Sequence, residues 1–214
     1  MAAVDKTLGL SWPAYTRWVA NVPAPVRVFA VTYSNFSLLA MVVLSALYCL
    51  GRADRAEEFI RLFFFCALAS ILVGMLLPAE GAAARYETPG MLAAFGPEAG
   101  NYALSFQHIL RSNTPHILKL DEMPDLVIFP SFHTASGLLI IYAYQGIRFV
   151  APVSIVYALI MIASTPIMGG HYFTDMIGGM ALTAVSILAH RRHRAIGREL
   201  TVASPIGGEA VSPR

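Results

Sequence analysis

Residues 151–190 read APVSIVYALIMIASTPIMGGHYFTDMIGGMALTAVSILAH. Two apolar stretches, 151–169 and 171–189, meet at Gly169-Gly170, and the only charged side chain in the segment is Asp175. A bilayer's hydrocarbon core is about 30 Å thick and takes about 20 apolar residues as a helix. Each stretch is therefore the length of one span, and the glycine pair is the turn between them. The whole chain has a matching composition: of its 214 residues, 57% are hydrophobic and 13% charged, against about 25% charged in a soluble domain. The fold class read from this is all-α, a polytopic membrane helical bundle.

Working outward, a third apolar stretch at 132–147 precedes these two and runs out at Gln145-Gly146-Ile147-Arg148. Residues 28–50 carry no charge and stop at Gly51-Arg52, and residues 59–77 carry only Arg61, near enough to one end to snorkel. Five spans are expected. If they alternate, Arg52, Arg55 and Arg61, then Arg148, then Arg191, Arg192, Arg194 and Arg198 share one side, which the positive-inside rule makes cytoplasmic. The long loop 78–130 then lies outside, where Arg85, Arg111 and Lys119 are outnumbered by Glu80, Glu87, Glu98, Asp121, Glu122 and Asp125.

The chain accordingly divides into an external interfacial segment (1–27), a membrane-embedded helical domain (28–190) and a basic cytoplasmic tail (191–214) that is expected to be disordered. The end of that tail, Thr201 to Arg214, has few large apolar residues and is expected to be disordered. Residues 11–20, SWPAYTRWVA, carry Trp12, Tyr15 and Trp18 and read as a segment lying in the membrane interface. No charged start followed by an apolar core marks a cleaved signal peptide. With the amino end placed outside, one more span is expected ahead of this sequence.

Several function classes fall away. No basic, aromatic-interleaved stretch offers a nucleic-acid surface. Cys49 and Cys66 lie in separate apolar runs without C-x-x-C or Cys/His spacing and are read as buried, inert thiols. No carboxylate cluster calls for a metal, and no cofactor is expected. The small residues Ala135, Ser136, Gly137, Gly178, Gly179, Ala181 and Ala184 are read as close helix contacts.

Two clusters carry chemistry, both at the external ends of the last three stretches. The first is PSFHT, 130–134, and the second is GGHYFTD, 169–175. Ser131 stands where a helix N-cap would stand, and the first turn behind it offers unpaired N–H groups and the positive end of the helix dipole, which suit a phosphate. Gly169 and Gly170 permit close backbone approach and unusual dihedrals, so a second anion-facing backbone segment is expected there. His171 and Asp175 are four apart, so on a helix they share a face. The carboxylate can then accept from one imidazole nitrogen while the other points away as a nucleophile. One histidine at the end of a membrane helix has an ordinary reading as an interfacial polar group. Two of them with an aspartate in an apolar run, where a charge costs about 2.5–3.5 kcal/mol near the bilayer centre, are harder to read so.

These residues resemble the PAP2 superfamily of lipid phosphatases and phosphotransferases, whose motifs read P-S-G-H and S-R-x5-H-x3-D. Here they stand as PSFHT and, from Ser164 to Asp175, STPIMGGHYFTD. The resemblance implies that His171 attacks phosphorus to form a phosphohistidine, that Asp175 orients it, and that His133 protonates the leaving oxygen and later activates the acceptor. It implies a lipid phosphate as substrate, membrane lipids as surroundings, and six spans in a complete family member. The chain departs from the pattern at Thr165, where an arginine is usual, and in lacking a K-x6-R-P motif after Leu77-Pro78. In this it is similar to the branch containing inositol phosphorylceramide synthases and their bacterial relatives. Replacement cations are sought among Arg111, ranked first, Arg85, ranked second, His116 and Lys119. The expected function is a lipid phosphate phosphatase on the external face of a bacterial-type inner membrane. The alternatives are a head-group phosphotransferase using an alcohol acceptor and, behind it, a non-catalytic membrane scaffold.

Overall fold

In lipid every backbone polar group must be satisfied within the chain, and a long apolar run achieves this as a helix. The computed structural model describes residues 1–77, 79–86, 91–96, 99 and 127–203. Its elements are α1 (Ala2–Thr7), α2 (Trp12–Ala20), α3 (Pro23–Ser34), α4 (Phe36–Cys49), α5 (Ala53–Leu76), α6 (Ala82–Tyr86), a 3-10 turn (Ala93–Phe95), α7 (Phe132–Tyr144), α8 (Ala151–Met168) and α9 (Phe173–Ala203), with no strand among the described residues. Arg111, His116, Lys119, most of the loop 78–130 and the tail beyond Ala203 lie outside the described residues.

Three helices are long and apolar enough to cross a membrane: α5, α8 and α9 as far as Gly197. The pair α3 and α4 makes a fourth if taken as one span bent by 68°. The expected straight span over 28–50 is thus broken. Asn35 leaves the helical region at φ −92°, ψ 17°, and its side-chain amide donates to the Val31 carbonyl at 2.8 Å, a local bond that competes with the helix ladder. At 13 residues, α7 reaches only ~20 Å and lies in the middle of the bundle, packed by α5, α8 and α9. Leu139 and Ile140 of α7 are buried with Leu47, Phe59 and Met161. Outside, α5 presents Leu68, Leu72 and Met75, and α9 presents Val185 and Leu188. Such apolar exteriors belong to a protein whose solvent is lipid, a helical membrane protein.

The amino-terminal segment, expected to lie in an interface, packs against α8. Trp12 is 1% exposed, and its indole N–H donates to the Pro166 carbonyl at 2.7 Å. Tyr15 donates to the Ala163 carbonyl at 2.6 Å; burial pushes its phenol up to about 12, so it stays a donor at neutral pH. Trp18 alone of the three aromatics stands out, at 64% exposed. Two further expectations are corrected. Cys49 is exposed while Cys66 is buried, because in the last turn of α4 Leu47 faces the core and Tyr48 and Cys49 face outward. The basic residues 191–194, placed at the start of the tail, continue α9 as helix.

Those basic residues join a polar cluster where α5 begins and α7 ends. Glu58 accepts from Tyr142 at 2.9 Å and faces His190 at 3.4 Å and Arg194 at 3.7 Å. Arg55 donates to the carbonyls of Ala143 and Gln145.

Candidate active site

Ser131 is the N-cap of α7. It is buried, and its hydroxyl oxygen accepts from the Thr134 N–H at 3.4 Å and from the Thr134 hydroxyl at 3.2 Å. Its own N–H donates to the Asp175 carbonyl at 3.0 Å, which ties the start of α7 to the start of α9. Two glycines permit this approach: a Cβ at Gly179 would stand 2.3 Å from the Ser131 carbonyl oxygen, and one at Gly178 would stand 2.5 Å from the Phe129 ring. The stripe read as packing is what brings His133 over to the second cluster.

Between α8 and α9 the chain turns at Gly170, with φ +64°, a conformation that side chains rarely adopt. The Gly170 carbonyl accepts from the Ala83 N–H at 3.3 Å, so the start of α6 braces the turn. His171 follows, 3% exposed, and Asp175 is wholly buried. The two meet, with Asp175 Oδ2 lying 3.5 Å from His171 Nδ1, but not across a helical face as expected. His171 precedes the helix. Asp175, in its first turn, folds back over the end and accepts the Tyr172 N–H at 2.8 Å, as the third residue of a capping box does. A carboxylate at a helix N-terminus is also favoured by the dipole.

The remaining donors of that turn are taken from a distance. Asp5, buried on α1, accepts from the N–H groups of Phe173 at 3.0 Å and Thr174 at 2.8 Å and from the Thr174 hydroxyl at 2.5 Å. The first turn of α9 is therefore capped by protein. What is left of the expected second anion-facing segment is the backbone ahead of it, at Gly170 and His171.

Tyr33, which no sequence pattern singled out, closes the site. Its ring stacks on His133 with centroids 4.0 Å apart and planes 14° apart, and Phe36 covers the same imidazole at 4.7 Å. A Cβ at Gly169 would stand 2.3 Å from the Tyr33 hydroxyl, 2.6 Å from His171 Cδ2 and 3.1 Å from His171 Nε2. Tyr33 thus touches one histidine with its ring and faces the other with its hydroxyl. The weak signal in the sequence was the polar stretch Thr32-Tyr33-Ser34-Asn35 inside an uncharged, mostly apolar run.

Of the expected cations, Arg85 alone is among the described residues, and it is less close. Arg85 is exposed on α6, with its guanidinium carbon 5.8 Å from the centre of the Tyr86 ring. Tyr86 in turn meets Tyr172 edge-on at 6.1 Å. Arg85 therefore stands at the rim, where it lines a cavity of about 580 Å³ with Lys6 and Ser11. Thr165 is buried and donates its hydroxyl to the Met161 carbonyl at 2.9 Å. Among the described residues, no group of three His, Cys, Asp or Glu side chains could hold a metal ion.

The family model described as the PAP2 superfamily matches residues 1–189. The match takes in Asp5 and Tyr33 as well as the two motifs. No curated protein and no solved structure matches the chain.

Proposed function

The chain belongs to the PAP2 superfamily, and on that premise we propose that it hydrolyses a lipid phosphate through a phosphohistidine on the external membrane face. His171 Nε2 attacks phosphorus; the N–P bond forms as the bond to the lipid oxygen breaks, and His133 gives that oxygen its proton. Water then attacks phosphorus, His133 takes the proton back, and phosphate leaves His171. Splitting one displacement into two lowers each barrier, and acid–base help of this kind contributes typically 10²–10⁴-fold. The observation that carries the reading is the buried His171–Asp175 pair at 3.5 Å. The carboxylate attends Nδ1, which leaves Nε2 for phosphorus. Phosphate oxygens would lie against the first turn of α7, where a helix N-terminus attracts anions.

Charge supports the side of the membrane. Arg55 and Arg194 gather around Glu58 and the end of α7; Arg194 lies 19 residues along α9 from Asp175, or ~28 Å at 1.5 Å per residue. Positive residues favour the cytoplasm, so the histidines face outward.

A second reading, transfer of a phosphoryl-linked head group to an alcohol on another lipid, is favoured by Thr165. Its hydroxyl serves its own helix and replaces no cation. Both readings require His171→Ala to abolish turnover and the acid-labile phosphoenzyme while the protein stays folded in detergent. Turnover surviving in that variant would refute the nucleophile assignment. Assays over a panel of lipid phosphates separate the two: phosphate release without an alcohol supports hydrolysis, and strict dependence on an alcohol acceptor supports transfer.

A further inference from the structure

We propose that Tyr33 is a catalytic residue, its hydroxyl donating a hydrogen bond to the phosphoryl group as it moves to and from His171 Nε2; this rests on the phosphohistidine reading. Four features of the fold hold the hydroxyl at that spot. The ring is clamped against His133 at 4.0 Å, and Phe36 packs on the same imidazole at 4.7 Å. The preceding residue is held by Tyr157, whose hydroxyl donates to the Thr32 carbonyl at 2.9 Å. The break at Asn35 ends α3 within two residues of Tyr33. Gly169 leaves open the space that the hydroxyl enters, since a Cβ there would stand 2.3 Å from the oxygen and 3.1 Å from Nε2. The phenol and the attacking nitrogen face each other across a missing side chain, within reach of a tetrahedral group bonded to Nε2.

The chemistry needs a donor there. Negative charge is spread over the phosphoryl oxygens in the transition state, and transfer is accelerated chiefly by fixed donors aimed at them. The position that an arginine holds in the motif is Thr165, whose hydroxyl is turned onto Met161. A phenol hydroxyl held beside the His171 ring supplies part of what that cation would. Tyr33 keeps its proton throughout, so no bond to it is made or broken and His133 remains the proton carrier.

The test is Tyr33→Phe, which removes one oxygen and keeps the ring on His133. We expect kcat to fall about 10²-fold, as on loss of one fixed donor, with KM within about threefold and melting unchanged. Phosphoenzyme formation in a single turnover should slow by the same factor. If the ring matters only as packing, Tyr33→Phe will retain wild-type kcat while Tyr33→Ala loses it, and the proposal is overturned. Wild-type protein and His171→Ala are run beside them. Absence of an acid-labile phosphoenzyme in the wild type overturns the histidine reading and this one with it; its presence there, with an unaffected Tyr33→Phe, overturns this one alone.

Discussion

Gly169 shows what a single residue decides here. Its φ of −90° is open to any residue, so its need for glycine is one of space: a Cβ would collide with the Tyr33 hydroxyl and with His171 Cδ2. Gly169→Ala should lower kcat at least about tenfold and cost about 1–3 kcal/mol of stability through overpacking, read by turnover and by melting in detergent. Part of the stability loss should return in a Tyr33→Phe background, because the nearest of the clashing atoms is then gone. Simple additivity of the two changes would contradict that contact. The residue scale is also where the sequence was most legible. Ser131 as a cap and His171 beside Asp175 follow from spacings of three or four residues, over which backbone geometry is nearly fixed. Even so, the second pair is joined by a carboxylate folded over a helix end, a detail that spacing does not distinguish from a shared helical face.

Among the elements, α9 is the most informative, because its first turn carries Asp175 and takes its cap from α1. Asp5 receives three donors, and losing a cap costs about 0.5–2 kcal/mol. Asp5→Ala should therefore lower the melting temperature and reduce kcat together, while Asp5→Asn, which keeps one acceptor oxygen, should lose less of each. An Asp5→Ala protein with both values intact would show that this cap does not hold the site. No rule applied along the chain finds this bond, since its partners are 168 residues apart and α1 has only six residues. The division of 28–50 into α3 and α4 is similar. Hydropathy averages over Asn35, whereas the bend depends on one amide reaching a carbonyl.

Across the whole molecule, polar chemistry is kept at the two ends and the apolar middle faces lipid. The Glu58 cluster is the structural end. Removing its carboxylate with Glu58→Ala strands Tyr142 and the cations around it; we expect a loss of about 1–3 kcal/mol with kcat unchanged. A fall in kcat larger than the thermal loss explains would mean that the ends are coupled. The sequence by itself determined that the chain is a helical membrane protein, where most of its helices run, and which two histidines and aspartate to watch. Those properties are set by hydrophobic runs and by neighbours within one helical turn. Only the tertiary structure decided that Asp5 caps the helix behind His171, that Tyr33 stands between the histidines, and that Trp12 is buried against Pro166. These contacts join segments a hundred or more residues apart, and their energies depend on packing around glycines and a bent helix that leaves no local pattern in the chain.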